Sequence, residues 1–163
     1  GRHHSRSCAG PPRLEQGITI AEKIAGADPK PVIDDTVPQV VFSFPEAASV
    51  GLTLDQAKAR EDVVEPKETA YPMLSNARML MSGEGGSMTV VSGAFANNPD
   101  MQVVLGVHIV SPIASDLIAE AEQLVGNRVP LADAARLIHP HPTFSETLGE
   151  ALLKADGRPL HTR

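Results

Sequence analysis

Apolar residues along this chain recur with two different periods, and each period predicts a different kind of element. Residues 88–95 and 102–111 are rich in β-branched residues, as is typical of strands. Between them lies Asn97-Asn98-Pro99-Asp100, a sequence typical of a turn. We therefore predict an antiparallel hairpin with its turn at residues 97–100.

Two further stretches predict strands. Residues 37–44 are mainly apolar and end at Pro45, which cannot donate to a sheet ladder. Residues 63–71 form a second such stretch with polar interruptions. Residues 78–81 fit either a helix or a strand, and the glycines of residues 83–86 predict a turn after them.

Apolar residues three or four positions apart predict helices elsewhere. Thr53 and Gln56 stand at the spacing of a capping box, which predicts a short helix after Thr53. The other expected helices cover residues 14–26, 113–125 and 130–138, and a final segment that ends near residue 156. Strands followed by helices predict an α+β fold, an antiparallel sheet with packed helices.

Residues 1–13 stand apart from this pattern, because they are basic and have no apolar periodicity. We expect them to be disordered. Residues 14–35 combine the first helix with a linker rich in proline and aspartate, and residues 36–163 form the compact domain.

Composition narrows the class of protein. Of the 163 residues 42% are hydrophobic, which is enough for a core, whereas only 3% are aromatic. The net charge of -6 argues against a nucleic-acid partner. No apolar run approaches the ~20 residues that span a bilayer, so we expect a cytoplasmic protein without a membrane partner. Cys8 is the single cysteine, which excludes a disulfide or a CxxC redox pair within these residues.

The candidate chemistry lies in a His-Pro-x-x-x-Glu sequence before the last helix. His141 can act as a general base, since imidazole ordinarily titrates near neutral pH. Glu146 stands at the start of a helix, where the helix dipole favours an ionised carboxylate that can orient and stabilise an imidazolium. The residue types alone leave another interpretation open. Thr143 and Glu146 also have the spacing of a capping box, in which case the glutamate only satisfies a backbone donor.

The sequence argues against two other kinds of site, a metal site and a phosphate-binding loop. His139 and His141 have no cysteine partners at ligand spacing, so we expect no metal site and interpret His139 as a structural neighbour. Residues 83–86 precede a strand and lack the lysine of a phosphate loop, so they predict only a turn.

Several motifs together resemble one family, the C-terminal dimerisation domain of FAD-dependent pyridine nucleotide-disulfide oxidoreductases, and most of all dihydrolipoyl dehydrogenase. Residues 37–53 resemble the family's entry strand and its Pro-Glu-x-x-x-Val-Gly-Leu turn. Residues 105–118 resemble its central strand and interface helix, and residues 141–146 its catalytic signature. Residues 14–26 resemble the helix that ends the family's FAD domain.

The resemblance implies a function. In such enzymes the histidine reaches across a homodimer interface into the partner's active site and deprotonates a dithiol, here a lipoyl-bearing substrate. The thiolate attacks a redox disulfide, and electrons pass through FAD to NAD. His141 is then the base and Glu146 its orienting acid, while Pro142 and Thr143 lie near the partner's flavin. The apolar helix at residues 113–125 would leave a hydrophobic patch for dimerisation if its apolar face were unpaired.

The family's glycine-rich FAD fingerprint, redox cysteine pair and NAD-binding segment do not occur in these residues. The resemblance therefore implies the C-terminal third of an enzyme, inactive by itself because FAD and NAD bind elsewhere in the parent. A stand-alone dimerisation or binding module remains the alternative, as does a glutathione reductase-like or mercuric reductase-like member. The chain ends without the cysteine pair of mercuric reductases, which favours the lipoamide enzymes.

Overall fold

A computed structural model describes residues 10–162 of the chain. Within this part the chain forms five strands and six α-helices. In chain order these are α1 (Gly10–Ile24), β1 (Gln39–Val41), β2 (Glu46–Gly51), α2 (Leu54–Lys58), β3 (Val63–Pro72), α3 (Ala77–Ser82), β4 (Ser87–Phe95), β5 (Asn98–Ser111), α4 (Ala114–Gly126), α5 (Leu131–Ala134) and α6 (Glu146–Ala155). Single 3-10 turns lie at Asp34–Thr36 and Met73–Ser75.

The five strands form one antiparallel sheet in the order β1-β2-β5-β4-β3. Helix α4 packs against β2 and β5, and α6 packs against β3 and β4. Alternate strand residues point to opposite faces, so Val90 joins the main core under these helices while Val91 joins a smaller cluster on the other face. This arrangement confirms the predicted α+β class.

The predicted hairpin is present as β4 and β5, but its turn begins one residue earlier than expected and ends three residues earlier. Phe95 pairs with Asn98, so the turn consists of residues 96 and 97, and residues 98–100 already belong to β5. Pro99 is tolerated there because β5 pairs with β2 only from Gly106 onward, which leaves the other edge of its first residues open.

The predicted strand at residues 37–44 is shorter, and a strand follows where a turn was expected. Only Gln39–Val41 form β1, and Phe42 and Phe44 are 80% and 84% exposed. The segment Glu46–Gly51 is strand β2, hydrogen-bonded to β1 on one side and β5 on the other. Alanine, serine and glycine prefer strands only weakly, so pairing on both sides imposes the extended backbone that local preference does not predict.

Three helix boundaries differ from the sequence-based expectations. Helix α1 begins at Gly10, four residues before the expected start at residue 14, while residues 1–9, including Cys8, lie outside the described residues. The ambiguous residues 78–81 are helical in α3, whose N-cap Asn76 accepts a hydrogen bond from the Met79 amide. Helix α5 ends at Ala134 rather than residue 138.

Helix α2 agrees with the sequence in its capping as well as its position. The Thr53 hydroxyl accepts from the Gln56 amide at 3.2 Å, and the Gln56 side chain accepts from the Thr53 amide at 2.8 Å. The capping box predicted at these residues is therefore present in both halves.

The apolar face of residues 113–125 is paired within the chain, so it leaves no hydrophobic patch. Leu117, Ile118, Ala121 and Leu124 are all buried in the core of the same chain. The helix needs no second copy to cover this face, because β2 and β5 already do so. Among residues 10–162 no helix is long and apolar enough to cross a membrane.

Candidate functional site

The candidate residues lie on the loop of residues 135–145, which joins α5 to α6. Pro140 disfavours a helical conformation at the residue before it, so the chain leaves the helix well before His141. From residue 136 to residue 142 every residue is exposed except His139. The loop therefore presents His141 outward while one neighbouring side chain points into the fold.

His141 and Glu146 form the pair that the sequence predicted. Nδ1 of His141 lies 2.9 Å from Oε1 of Glu146, and the two side chains are 72% and 21% exposed. Because an ionised carboxylate only accepts hydrogen bonds, Nδ1 carries the proton and Nε2 keeps its lone pair. The exposed imidazole is thus held in the tautomer that a general base requires.

The environment of Glu146 favours its ionised form. Burial, the largest single influence, acts to raise its pKa, but hydrogen bonds from the Thr143 amide and the His141 ring, with the charges of His141 and His139, lower the pKa below its usual value. The Thr143 amide donates to Oε2 at 2.8 Å. Each carboxylate oxygen therefore has its own donor.

The capping interpretation is half realised. Glu146 accepts from the Thr143 amide, as in a capping box, but the Thr143 hydroxyl donates to the Pro140 carbonyl at 2.6 Å instead. The N-cap of α6 is Ser145, whose side chain makes no capping hydrogen bond. Glu146 thus accepts hydrogen bonds from a backbone amide and from the imidazole at the same time.

Thr143 connects the end of the loop to neighbouring segments through its backbone and its hydroxyl. Its carbonyl accepts from Nδ2 of the buried Asn76 at 3.2 Å, and its hydroxyl oxygen lies 2.9 Å from that of Ser145. The adjoining His141-Pro142 peptide bond is cis. These contacts fix the end of the loop against the segment before α3.

His139 makes a second histidine–carboxylate pair, with Glu120 of α4, which the sequence did not predict. Its Nε2 lies 2.7 Å from Oε1 of Glu120, and its side chain is only 9% exposed. The hydrogen bond to Glu120 raises the pKa of His139 against the opposing effect of burial, and the charges of Glu120 and Glu146 add to it. The pair joins residues 19 positions apart in sequence, on a helix and a loop.

A third pair joins α6 to the segment after it. Nδ1 of His161 lies 2.8 Å from Oε1 of Glu150, one turn beyond Glu146 on the same helix. The hydroxyl of the fully buried Tyr71 has no hydrogen-bond partner among the described residues. Burial, followed by the charges of Glu150 and Glu146, raises the pKa of Tyr71 to about 12, so its phenol stays neutral.

The described residues contain no group of three His, Cys, Asp or Glu side chains that could hold a metal ion. His108 contacts the Leu52 carbonyl at 3.1 Å on the sheet, far in sequence from the loop. The glycine-rich residues 83–86 form the connection from α3 to β4, beginning with Gly83 in the left-handed conformation that ends α3. Neither feature adds chemistry to the loop.

Fold and site together define an α+β domain that carries a histidine–glutamate pair on an exposed loop. The sequence profile of the pyridine nucleotide-disulphide oxidoreductase dimerisation domain matches residues 37–152. The chain therefore belongs to this family.

Individual relatives narrow the resemblance. The chain is 39% identical over 147 residues to dihydrolipoyl dehydrogenase of Bacillus subtilis, a match that covers 90% of this chain and 30% of the relative. It is 40% identical over 149 residues to dihydrolipoyl dehydrogenase of Cupriavidus necator, with the same coverage of both. The chain thus spans less than a third of the length of these relatives.

Solved structures confirm the fold. LpdA from Mycobacterium tuberculosis superposes with a TM-score of 0.75 at 28% identity, covering 86% of this chain and 29% of that protein. The HOCl-induced flavoprotein disulfide reductase RclA from Escherichia coli gives a TM-score of 0.71 at 21% identity, covering 85% of this chain and 31% of that protein, and shows the shared fold alone.

The two residues predicted to lie near a flavin offer few free hydrogen-bond donors. Pro142 has no amide proton, and the amide, carbonyl and hydroxyl of Thr143 are all engaged with Glu146, Asn76 and Pro140.

Proposed function

We propose that this chain is the dimerisation part of a longer dihydrolipoyl dehydrogenase-like enzyme and supplies His141 and Glu146 to the partner subunit's active site. The observation that carries the proposal is the 2.9 Å contact between Nδ1 of His141 and Oε1 of Glu146 on an exposed loop. Membership of the dimerisation-domain family and the names of the relatives support it.

The chemical step assigned to these residues is a proton transfer. With Nδ1 bound to Glu146, Nε2 of His141 is the nitrogen that takes the proton from a substrate thiol, leaving a thiolate and an imidazolium. The carboxylate stabilises the imidazolium that forms, because the charges attract across the hydrogen bond. The same imidazolium can return the proton when the reaction runs in reverse.

The rest of the parent supplies what these residues lack. FAD and NAD bind elsewhere in the parent and take up the electrons of the dithiol, for which a lipoyl-bearing substrate is the candidate. Pro142 and Thr143 lie beside the partner's flavin without holding it. The isolated chain is accordingly inactive.

The first part of the chain fits the same proposal. Residues 14–35 are the end of the flavin-binding domain and its linker, and residues 36–163 are the dimerisation domain. Helix α1 supports this division, since its Leu14, Ile20 and Ile24 are 72%, 59% and 83% exposed within the described fold.

The test compares two histidine variants of the full-length parent. His141→Gln should lower kcat for dihydrolipoamide oxidation by about a hundredfold or more, because the base is lost. His161→Gln is the matched control, since His161 is similarly exposed and also binds a glutamate of α6 through Nδ1. It should keep turnover within about twofold. Wild-type turnover in His141→Gln would refute the proposed role.

A further inference from the structure

Within residues 136–142 His139 is the one residue that turns inward, and this position gives it a task different from that of its neighbours. Ile138 on one side is 97% exposed and the side chain of His141 on the other is 72% exposed. Only 9% of the His139 side chain is accessible. A polar ring turned into the fold from an otherwise exposed loop requires partners that satisfy it.

One nitrogen of the ring has such a partner, and the opposite edge packs against a second helix. Nε2 contacts the carboxylate of Glu120 at 2.7 Å, and Glu120 stands on α4, whose apolar face is fixed against the sheet. The other edge of the ring packs on Gly149 of α6, where a Cβ would lie 2.6 Å from Nδ1 and 2.8 Å from Cε1. The imidazole is therefore clamped between two helices.

We propose that His139 and Glu120 form a positioning pair, which holds the first half of the loop so that His141 projects toward its substrate at a fixed place. The inference rests on the proposed function of His141. It assigns His139 no contact with substrate: the residue acts only through the loop.

The distribution of contacts along the loop explains why this pair is needed. The Asn76 and Glu146 contacts both reach Thr143, which follows His141. Ahead of His141, the side-chain hydrogen bond to a helix among the described residues is the one His139 makes with Glu120. Without it, the loop keeps the backbone hydrogen bonds of Arg136 and Leu137 to α5 but loses its side-chain bond to α4. Misplacement of a catalytic group by about 1 Å can lower a rate by up to roughly a hundredfold.

The local test uses the amide of Thr143 in the full chain as a reporter. That amide donates to Glu146, so its exchange with solvent reports whether the loop and the carboxylate stay together. His139→Ala and Glu120→Ala should each speed its exchange by about tenfold or more while core amides of β4 and β5 stay protected. Glu122→Ala, on the same helix and bonded only to Gln123, is the matched control and should leave it unchanged.

His139→Gln tests whether the hydrogen bond to Glu120 positions the loop, or whether any side chain that fills the place of His139 is sufficient. A glutamine amide can donate to Glu120 from nearly the place of Nε2, so this variant should recover most of the protection that His139→Ala loses. The double variant His139→Ala with Glu120→Ala should behave like either single variant, because each removes the same contact.

Turnover of the full-length parent gives the second readout. His139→Ala should lower kcat by about tenfold with little change in KM, and His139→Gln should restore most of it. The inference is overturned if His139→Ala keeps wild-type kcat, or if core amides lose protection together with Thr143, since the histidine would then only stabilise the fold.

The two proposals fail in different ways. If His141→Gln retains turnover, the proposed catalytic function is wrong, and the positioning role fails with it. If His141→Gln is inactive but His139→Ala turns over normally, only the positioning role is wrong. The His141→Gln substitution leaves the contact between His139 and Glu120 intact, so its result does not depend on that contact.

Discussion

At the scale of single residues, pair geometry alone does not identify the base. Helix α6 carries two glutamates one turn apart, and each binds an exposed histidine through Nδ1, at 2.9 Å for His141 and 2.8 Å for His161. Both glutamates also accept from a backbone amide, Glu146 from Thr143 at 2.8 Å and Glu150 from His161 at 3.4 Å. What separates the two pairs is that His141 lies in the sequence signature that resembles the family.

Two substitutions of Glu146 separate its capping role from its role beside His141. Glu146→Gln keeps an acceptor for the Thr143 amide, so the free energy of unfolding should change by only roughly a few tenths of a kcal/mol, whereas Glu146→Ala should cost about 1 kcal/mol. The glutamine amide, however, favours donation to Nδ1 and hence the tautomer with a proton on Nε2, which cannot accept another. Turnover of the full-length parent should therefore fall by roughly tenfold or more in both variants.

Urea unfolding of the chain measures the first effect, and dihydrolipoamide turnover the second. Normal turnover in Glu146→Gln would show that Glu146 acts only as a helix cap.

The contribution of Glu146 to the stability of the fold should also depend on pH, in a defined direction. Because the folded pKa of Glu146 is lowered, its stabilising contribution is present above its ordinary pKa and is lost as the pH falls through the lowered value. Glu146→Gln should remove this part of the acid-side slope.

The sequence predicts one of the three histidine–glutamate pairs found within residues 10–162, for a physical reason. His141 and Glu146 are five residues apart at a helix start, so local spacing brings them together. His139 and Glu120 are 19 residues apart and His161 and Glu150 are 11 apart, and their contact depends on how α4, α6 and the loops pack. Spacing carries no signal for such pairs.

At the scale of elements, strong periodicity was a better guide than local preference. Helices α2, α4 and α6 and the β4–β5 hairpin combine a clear apolar pattern with turn or capping residues, and all four are present. Strand β2 was missed because its alanines, serine and glycine become a strand only by pairing with β1 and β5. The helix predicted at residues 130–138 is longer than α5. Leu137 and Ile138 extend the apolar pattern of this helix in the sequence, but their side chains are exposed.

The contact between α6 and the loop predicts an unusual effect of alanine in a helix. Gly149→Ala should lower the free energy of unfolding by about 1–2 kcal/mol, since its Cβ would meet the His139 ring, which Glu120 holds in place. Gly17→Ala in α1 is the matched control: a Cβ there meets nothing within 4 Å, so the better helix preference of alanine should apply, by about 0.5–1 kcal/mol. Chemical unfolding and far-ultraviolet circular dichroism measure the two.

The clash can be attributed to His139 by a reciprocal experiment. In a His139→Ala background the ring is gone, so Gly149→Ala should become neutral or stabilising. Equal destabilisation in both backgrounds would place the clash elsewhere and contradict the packing described for the ring.

The pair of His139 and Glu120 also gives the loop a pH dependence. Glu120 from α4 and Glu146 from α6 are the charged groups that face the ring, and the pKa of His139 is raised. Its stabilising contribution is therefore fully present below the ordinary histidine pKa and is lost as the pH rises through the raised value. Protection of the Thr143 amide should decline over that range in the wild type, and should lose this dependence in His139→Gln, which cannot ionise.

At the scale of the whole molecule, the exposed apolar side chains indicate what surrounds the domain. The face of α4 is covered within the chain, whereas Phe42, Phe44 and Ile138 are 80%, 84% and 97% exposed. Large apolar side chains left this accessible are typical of surfaces that contact another protein. Ile138 is on the same loop as His141, so a loop that reaches into a partner's active site would bring it against that partner.

This placement predicts how dimerisation responds to a single charge. The chain should sediment with twice the monomer mass at high concentration, and Ile138→Asp should shift it toward monomer, because an aspartate buried at an interface must lose its hydration. Leu14→Asp is the control, since Leu14 is 72% exposed on α1, which we assign to a contact with the flavin-binding domain instead. Sedimentation as a monomer at every concentration would contradict a dimer built by this domain alone. Equal weakening by both variants would show that the interface is not organised around the loop of His141.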